Sequence, residues 1–257
     1  MKTINLEGIY IQDLHGDTLL YGGKIGCNIK YYSIKQKQFE VDLTELDNIT
    51  CKLQYYPREK GMNFQFIADY FSSSEKTEKD TTHSEFKLGY GNLNLKHVRF
   101  VYKDCDNHYI PKYGMDYEDI EVNNINAKFS QIKIVGDTIK VHIENLSAKE
   151  KSGFAITKMN TDATICEKYI KTDNLEITTP NSYLHGSYYM FTNSFDDYNH
   201  YVHKVTMQGH FTDSTYVGLN DVAFFAEEVQ GLNEKVHFNG DIHGTVADLQ
   251  SDNLSLS

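Results

Sequence analysis

The stretch Ile132-Lys133-Ile134-Val135-Gly136-Asp137-Thr138-Ile139-Lys140-Val141-His142-Ile143 decides the fold class. Ile132 and Ile134 alternate with polar neighbours before Gly136-Asp137, and Ile139, Val141 and Ile143 alternate with Lys140 and His142 after it. A period of two sends apolar side chains to one face of a strand, and Gly-Asp supplies the turn. The same pattern recurs in both directions along the chain: at Ile25, Cys27, Ile29 and Tyr31; at Ile49, Cys51, Leu53 and Tyr55; and at Leu93 and Leu95, followed by Val98, Phe100 and Tyr102. It returns at Leu175 and Ile177, at Val205 and Met207, and at Val236, Phe238, Ile242 and Val246. Gly16-Asp17, Gly22-Gly23, Pro180-Asn181 and Gly240-Asp241 punctuate the runs. Strand-turn-strand spacing without long helices predicts an all-β chain and excludes a parallel α/β architecture.

Two segments leave the period. In Asn63 to Phe71, the residues Phe64, Ile67, Ala68 and Phe71 fall at helical spacing behind a capping Asn63. In Asp221 to Gln230, Asp221 is placed to cap and Gly231 to end the turn. Both are expected as short helices plugging an opening in the sheet. Ser72 to Thr82 contains no apolar residue and reads as a mobile polar loop. The expected organisation is a first strand group at 1–71 closed by a short helix, a polar loop at 72–85, and strand repeats of the same elongated β domain over 86–257.

Composition narrows the function. With 36 acidic against 25 basic residues among 257, the net charge of −11 argues against nucleic acid and against adsorption to anionic headgroups. Nineteen Tyr and fourteen Phe are more than a disordered polar chain carries, so the chain folds. The longest apolar run, Val222 to Ala226, is too short for a membrane-spanning helix, and the first residues lack the apolar core of a secretory signal. Met1 reads as an added start and Asn253 to Ser257 as an unfinished strand, so a longer parent protein is expected. Cys27, Cys51, Cys105 and Cys166 have no metal-site spacing; an oxidising compartment would allow Cys27 to join Cys51, while small buried thiols are the commoner reading.

Catalytic chemistry finds little footing. His185, His200, His203 and His210 cluster in sequence, but His200 and His203 lie in a polar, turn-like stretch with no third ligand fixed by spacing. The acidic pairs Asp104/Asp106, Glu118/Asp119, Asp196/Asp197 and Glu227/Glu228 do not by adjacency create two carboxylates facing across a cleft. Neither a G-x-S-x-G elbow nor a P-loop occurs. The reading is therefore non-enzymatic, with no catalytic residue, metal or cofactor. The Tyr-rich stretch Tyr183, Tyr188, Tyr189, Phe191, Phe195, Tyr198 and Tyr201 offers a platform for glycan or protein on a surface or secreted β-sandwich, or else the half-buried rim of a sheet.

Four ordered landmarks carry a family resemblance: Leu6 to Asp13 followed by Gly16 to Tyr21; Asn63 to Ile67; Asp221 to Ala226; and Gly240 to Leu249. Together they resemble the TamB-like, AsmA-related translocation and assembly module proteins of Bacteroidetes, over nearly the whole chain. The resemblance implies a periplasmic bridge tethered to the inner membrane by an anchor upstream of this fragment, meeting an outer-membrane assembly partner of the TamA type. It implies an elongated, curled, antiparallel-type sheet, a β-taco, whose apolar groove carries phospholipid acyl chains or supports outer-membrane protein assembly. Alternating apolar residues either meet in the core of a closed sandwich or line an open trough. The resemblance selects the trough, with Ile132, Ile134, Ile139, Val141, Ile143, Leu175, Ile177, Val205, Met207, Val236, Phe238, Ile242 and Val246 as its lining.

Overall fold

In the computed structural model, residues 2–33, 38–59, 61–74, 85–106, 111–194, 197 and 201–257 are described. Among the described residues thirteen strands form one mixed sheet by hydrogen bonding, and the all-β expectation holds. The chain divides into two compact units, Met1–Asn126 with Lys149–Lys151, and Ala127–Ala148 with Ser152–Ser257. The division falls inside a strand.

The first unit contains β1 (Lys2–Gln12), β2 (Thr18–Ser33), β3 (Gln38–Tyr55), β4 (Glu85–Asp104) and the start of β5 (Asp119–Val135), paired in that order. Register aligns the apolar residues into rows across the strands. Leu6, Ile25, Leu46 and Leu95 stand opposite one another, as do Ile11, Leu20, Cys51 and Phe100. Directly opposed side chains share a face, so each row is a cross-strand contact line. The opposite face is charged: Glu45 bridges Lys24 and Lys96, each at 2.6 Å. Those two hydrogen bonds, Lys24 first, hold the Glu45 carboxyl down to about 2.

The β3–β4 pairing is parallel, which corrects the expected antiparallel-type sheet at this point. Antiparallel neighbours close with a tight turn, whereas parallel ones need a crossover of a dozen residues or more. Residues 56–84 provide it and contain α1 (Gln65–Ser74). Asn63 does not cap this helix. Its buried carboxamide accepts from Gln54 N at 3.0 Å and donates to Asp13 Oδ2 and Lys52 O, each at 3.1 Å, tying the Asp13–Asp17 turn to the end of β3. Of the expected apolar stripe, Ile67 is half-buried and Phe64 and Ala68 are exposed, while the side chain of Phe71 lies outside what is described. Residues 75–84, most of the polar loop read from the sequence, lie outside the described residues.

The second unit runs from the end of β5 through β6 (Thr138–Glu150), β7 (Ala155–Cys166), β8 (Tyr169–Thr178), β9 (Tyr183–Phe191), β10 (Thr206–Phe211), β12 (Lys235–Gly244) and β11 (Tyr216–Gly218) in pairing order, with β13 (Leu249–Leu256) on β12. It holds α2 (Tyr201–Lys204) and α3 (Leu219–Val222), followed by a 3₁₀ turn at Glu227–Val229. Asp221 lies in the first turn of α3, but its side chain is spent elsewhere: it accepts from Thr179 Oγ1, from Ser182 Oγ at 2.6 Å and from Asn181 Nδ2 at 2.9 Å. Phe224 and Phe225 pack edge-on against Phe154 at 5.8 and 5.0 Å, and Gly231 takes φ +85° where the turn ends.

A backbone device recurs in both units. Asn48, Asn124, Asn145, Asn174 and Asn253 have φ between 49° and 54°, each inside a strand and each followed by Ile or Leu; His97 at 50° precedes Val98 in the same way. Asn is among the few non-glycine residues that visit this left-handed region at modest cost. In β8 the consequence is explicit. Thr172 pairs with Tyr188 and Leu175 with Gly186, so two residues three apart in β8 meet two residues two apart in β9. The bulge keeps an aliphatic side chain on the same face after a step of three. Neighbouring asparagines satisfy the freed amides: Asn126 Oδ1 accepts from His97 N at 3.0 Å and Asn160 Oδ1 from Asn145 N at 2.8 Å.

Candidate functional site

The residues expected to line a trough lie in the second unit, and the register places eleven of the thirteen on one face. β5 ends at Val135 and its neighbour β6 starts at Thr138, so across the two-residue turn Gly136-Asp137 alternation brings Ile132 and Ile134 onto the face of Ile139 and Val141. His142 Nδ1 meets Asp162 Oδ1 at 2.6 Å across β6 and β7, so the flanking Val141, Ile143 and Ala163 point to the other side. Ala163 pairs with Thr172, Thr172 with Tyr188, Tyr188 with Gly209 and Gly209 with Ile242. Leu175, Ile177, Met207, Val236 and Phe238 share this face by alternation from those pairs. Val205 and Val246 lie just outside strands.

Exposure along this face is graded. At the β5–β6 turn Ile134 is 49% exposed and Ile139 39%. Ile132, Val141, Ile177, Val236, Phe238 and Ile242 are half-buried, whereas Ile143, Leu175 and Met207 are buried. Over β9 and β10 the face is sealed by α2: Tyr201 Oη donates toward Met190 Sδ at 3.5 Å and Met207 Sδ at 3.6 Å, and lies 3.4 Å from Tyr188 Oη. Val205, whose amide donates to Tyr201 O at 3.2 Å, is fully buried. Burial, and then Tyr201, push the Tyr188 hydroxyl well above the usual phenol range. Phe211 reaches across Gly186 and meets the Phe238 ring at 5.1 Å, edge to face.

The opposite face is polar. The carboxylate of Asp162, held by Asn174 Nδ2 and then by His142, sits below the usual range, and Glu176 likewise beside Asn160 and Lys158. Lys128 pairs with Glu144 at 2.8 Å. The Tyr-rich stretch is split between the two faces. Tyr183, Tyr189 and Phe191 alternate onto the polar side, while Tyr188 joins Tyr201 on the apolar side. Phe195, Tyr198 and His200 lie outside the described residues. The structure therefore does not bring the seven aromatics together as one platform.

The remaining sequence candidates are dispersed. His203 is exposed at the end of α2, His185 contacts Thr212, and His210 contacts Asp241. Among the described residues no group of three or more His, Cys, Asp or Glu is placed to hold a metal ion. The Asp104 carboxylate accepts from Asp106 N, a turn contact, and Glu227 and Glu228 lie in the 3₁₀ turn. The four cysteines are free. Cys27 stands opposite Leu43 and Cys51 opposite Leu20, seven residues along β2 from Cys27, or roughly 23 Å; a disulfide cannot span that separation. Burial pushes the Cys27 and Cys51 thiols up. No described helix is long and apolar enough to cross a membrane.

No family model, curated protein or solved structure was found to match this chain.

Proposed function

We propose that the apolar face of the second unit is a trough for acyl chains and that the protein is a TamB-like segment of an envelope bridge. In this reading it carries phospholipid, or supports outer-membrane protein assembly, between an inner-membrane tether and an outer-membrane partner of the TamA type, and it is not an enzyme. The observation that carries the reading is the alignment of Ile132, Ile134, Ile139, Val141, Ile143, Leu175, Ile177, Met207, Val236, Phe238 and Ile242 on one face, open at the β5–β6 turn and closed by Tyr201 at β10. A closed sandwich core would bury the whole set; instead Ile134 is 49% and Ile139 39% exposed. Contiguous exposed apolar surface marks a place where something apolar binds. Acyl chains need no directional hydrogen bonds and gain roughly 0.8 kcal/mol for each methylene removed from water.

The test is site-specific photocrosslinking in the parent cell. A crosslinker at Val141 or Phe238 is expected to capture lipid, and one at Lys140 or Gln208, on the polar face, is not. Val141→Glu is expected to reduce lipid copurifying in native mass spectrometry while the protein stays folded. Equal capture from both faces, or none from Val141 and Phe238, would sink the reading.

A further inference from the structure

The polar face of the second unit carries an arrangement that a lipid trough does not use. Register sets Lys171, Tyr189, Gln208, His243 and Gln250 in one row across β8, β9, β10, β12 and β13. Ser187, His210, Asp241 and Asp252 form the next row. Between the rows lies an open depression of about 310 Å³, lined by Ser187, Tyr189, Gln208, His210, Asp241 and His243 among others.

Its groups are held in place. Tyr189 Oη donates to Asp173 Oδ1, which fixes the ring and, as the leading cause, raises the hydroxyl above its usual range. Lys171 Nζ lies 5.5 Å from the same ring and 5.0 and 5.6 Å from those of Tyr169 and Phe191, bracing the aromatic wall. His210 Nδ1 contacts Asp241 Oδ1 at 2.8 Å, so its Nε2 is the ring nitrogen left for a ligand. Next to it the Gln208 carboxamide, which can donate and accept, is exposed.

We propose that this depression binds a neutral polysaccharide. An aromatic wall takes the C–H face of a sugar ring, and a rim of amide, imidazole and hydroxyl groups matches its hydroxyls, which both donate and accept. Charge disfavours an anionic ligand: Asp241 lines the depression, Asp252 stands beside it in the same row, and Asp173 holds Tyr189, so carboxylates surround the site and would repel a phosphate or carboxylate. The volume is at the small end of ligand clefts, enough for one or two sugar rings of a longer chain. The site lies on the face opposite the proposed trough and stands or falls independently of it.

Cellotriose and chitotriose are the probes, titrated into the isotopically labelled chain and followed by NMR. At least one is expected to shift resonances of Tyr189, Gln208, His210 and His243 in a saturable way. Tyr189→Ala is expected to weaken binding at least tenfold, and Gln208→Ala, a surface change that leaves the fold intact, about fivefold, as the loss of one hydrogen bond implies. Tyr189→Phe keeps the ring and is expected to retain binding. The proposal is overturned if neither trisaccharide shifts these resonances, if Gln208→Ala binds as the parent does, or if the shifts fall on Met190 and Met207 instead.

Discussion

Replacing Asn174 by valine tests the strand-bulge device directly. Asn174 has φ 49° and donates from Nδ2 to Asp162 Oδ2 at 2.8 Å. A non-glycine residue in the left-handed region pays about 1–2 kcal/mol, and a β-branched one suffers most. Loss of the exposed hydrogen bond adds about 1 kcal/mol. The chain has one escape, an extended residue 174, but that would invert the alternation beyond it. Leu175, now 3% exposed, and Ile177 would then turn to the polar face, at about 1.5–3 kcal/mol for each burial lost. The escape costs more than the strain, so the native register is expected to survive with Asn174→Val about 2–3 kcal/mol less stable than the parent. Asn174→Gly loses the hydrogen bond without the strain and is expected to cost about 1 kcal/mol. Urea denaturation of the three proteins gives the comparison, and thermal midpoints are expected to fall by about 2–4 °C for each kcal/mol. NMR titration adds a second readout, because Asn174 is the leading cause of the depressed Asp162 carboxyl, which is expected to rise toward its ordinary value in both variants. If valine proves as stable as glycine, left-handed asparagine is not what keeps Leu175 on the apolar face.

Three further outcomes follow from single residues. Burial alone would raise the Asp221 carboxyl, but hydrogen bonds from Ser182, Thr179 and Asn181 outweigh it and hold the group below its ordinary value. A depressed folded value means stabilisation that is complete above the unfolded carboxylate value of about 3.9 and lost as pH falls through the folded one. Asp221→Asn is therefore expected to destabilise clearly at pH 7 and much less at pH 2, read by denaturation at both. A methyl group on Gly186 would stand 1.9 Å from His210 O, at φ +151°, so Gly186→Ala is expected to separate β9 from β10 and uncover Phe211 and Met207. Hydrogen exchange in β10 is the check, and unchanged protection there would refute the close approach. Cys27, in the row with Ile4 and Leu43, is expected to react with a thiol reagent only as fast as the first unit opens, because it is buried and its thiol is pushed up; rapid labelling of the native protein would contradict that.

Much of this was legible in the residues, because side-chain alternation is a local property of an extended backbone. Ile132, Ile134, Ile139, Val141 and Ile143 announce two strands and the face they share, and the pairing of Leu175, Ile177, Met207 and Phe238 agrees with the phase their own alternation implies. The bulges also carry a signal in the sequence that alternation alone does not contain: an aliphatic step of three with Asn just before the second member, as in Leu46-Asp47-Asn48-Ile49 and Ile143-Glu144-Asn145-Leu146.

Tertiary structure decided what no local rule reaches. The direction of β4 beside β3 depends on where the crossover through α1 delivers the chain, and a period of two is identical in parallel and antiparallel strands. Whether an apolar face is open or sealed depends on what returns over it, and at β10 that is the single helical turn carrying Tyr201. Asn63 and Asp221 looked like helix caps because a cap needs only a short polar side chain at a helix start; the fold buried both beside other donors and acceptors, and those contacts took their side chains instead. The polar depression likewise brings together β9, β10 and β12, whose residues are separated by intervening turns and helices in sequence, so only the register of the folded sheet puts Tyr189, Gln208 and His243 in one row.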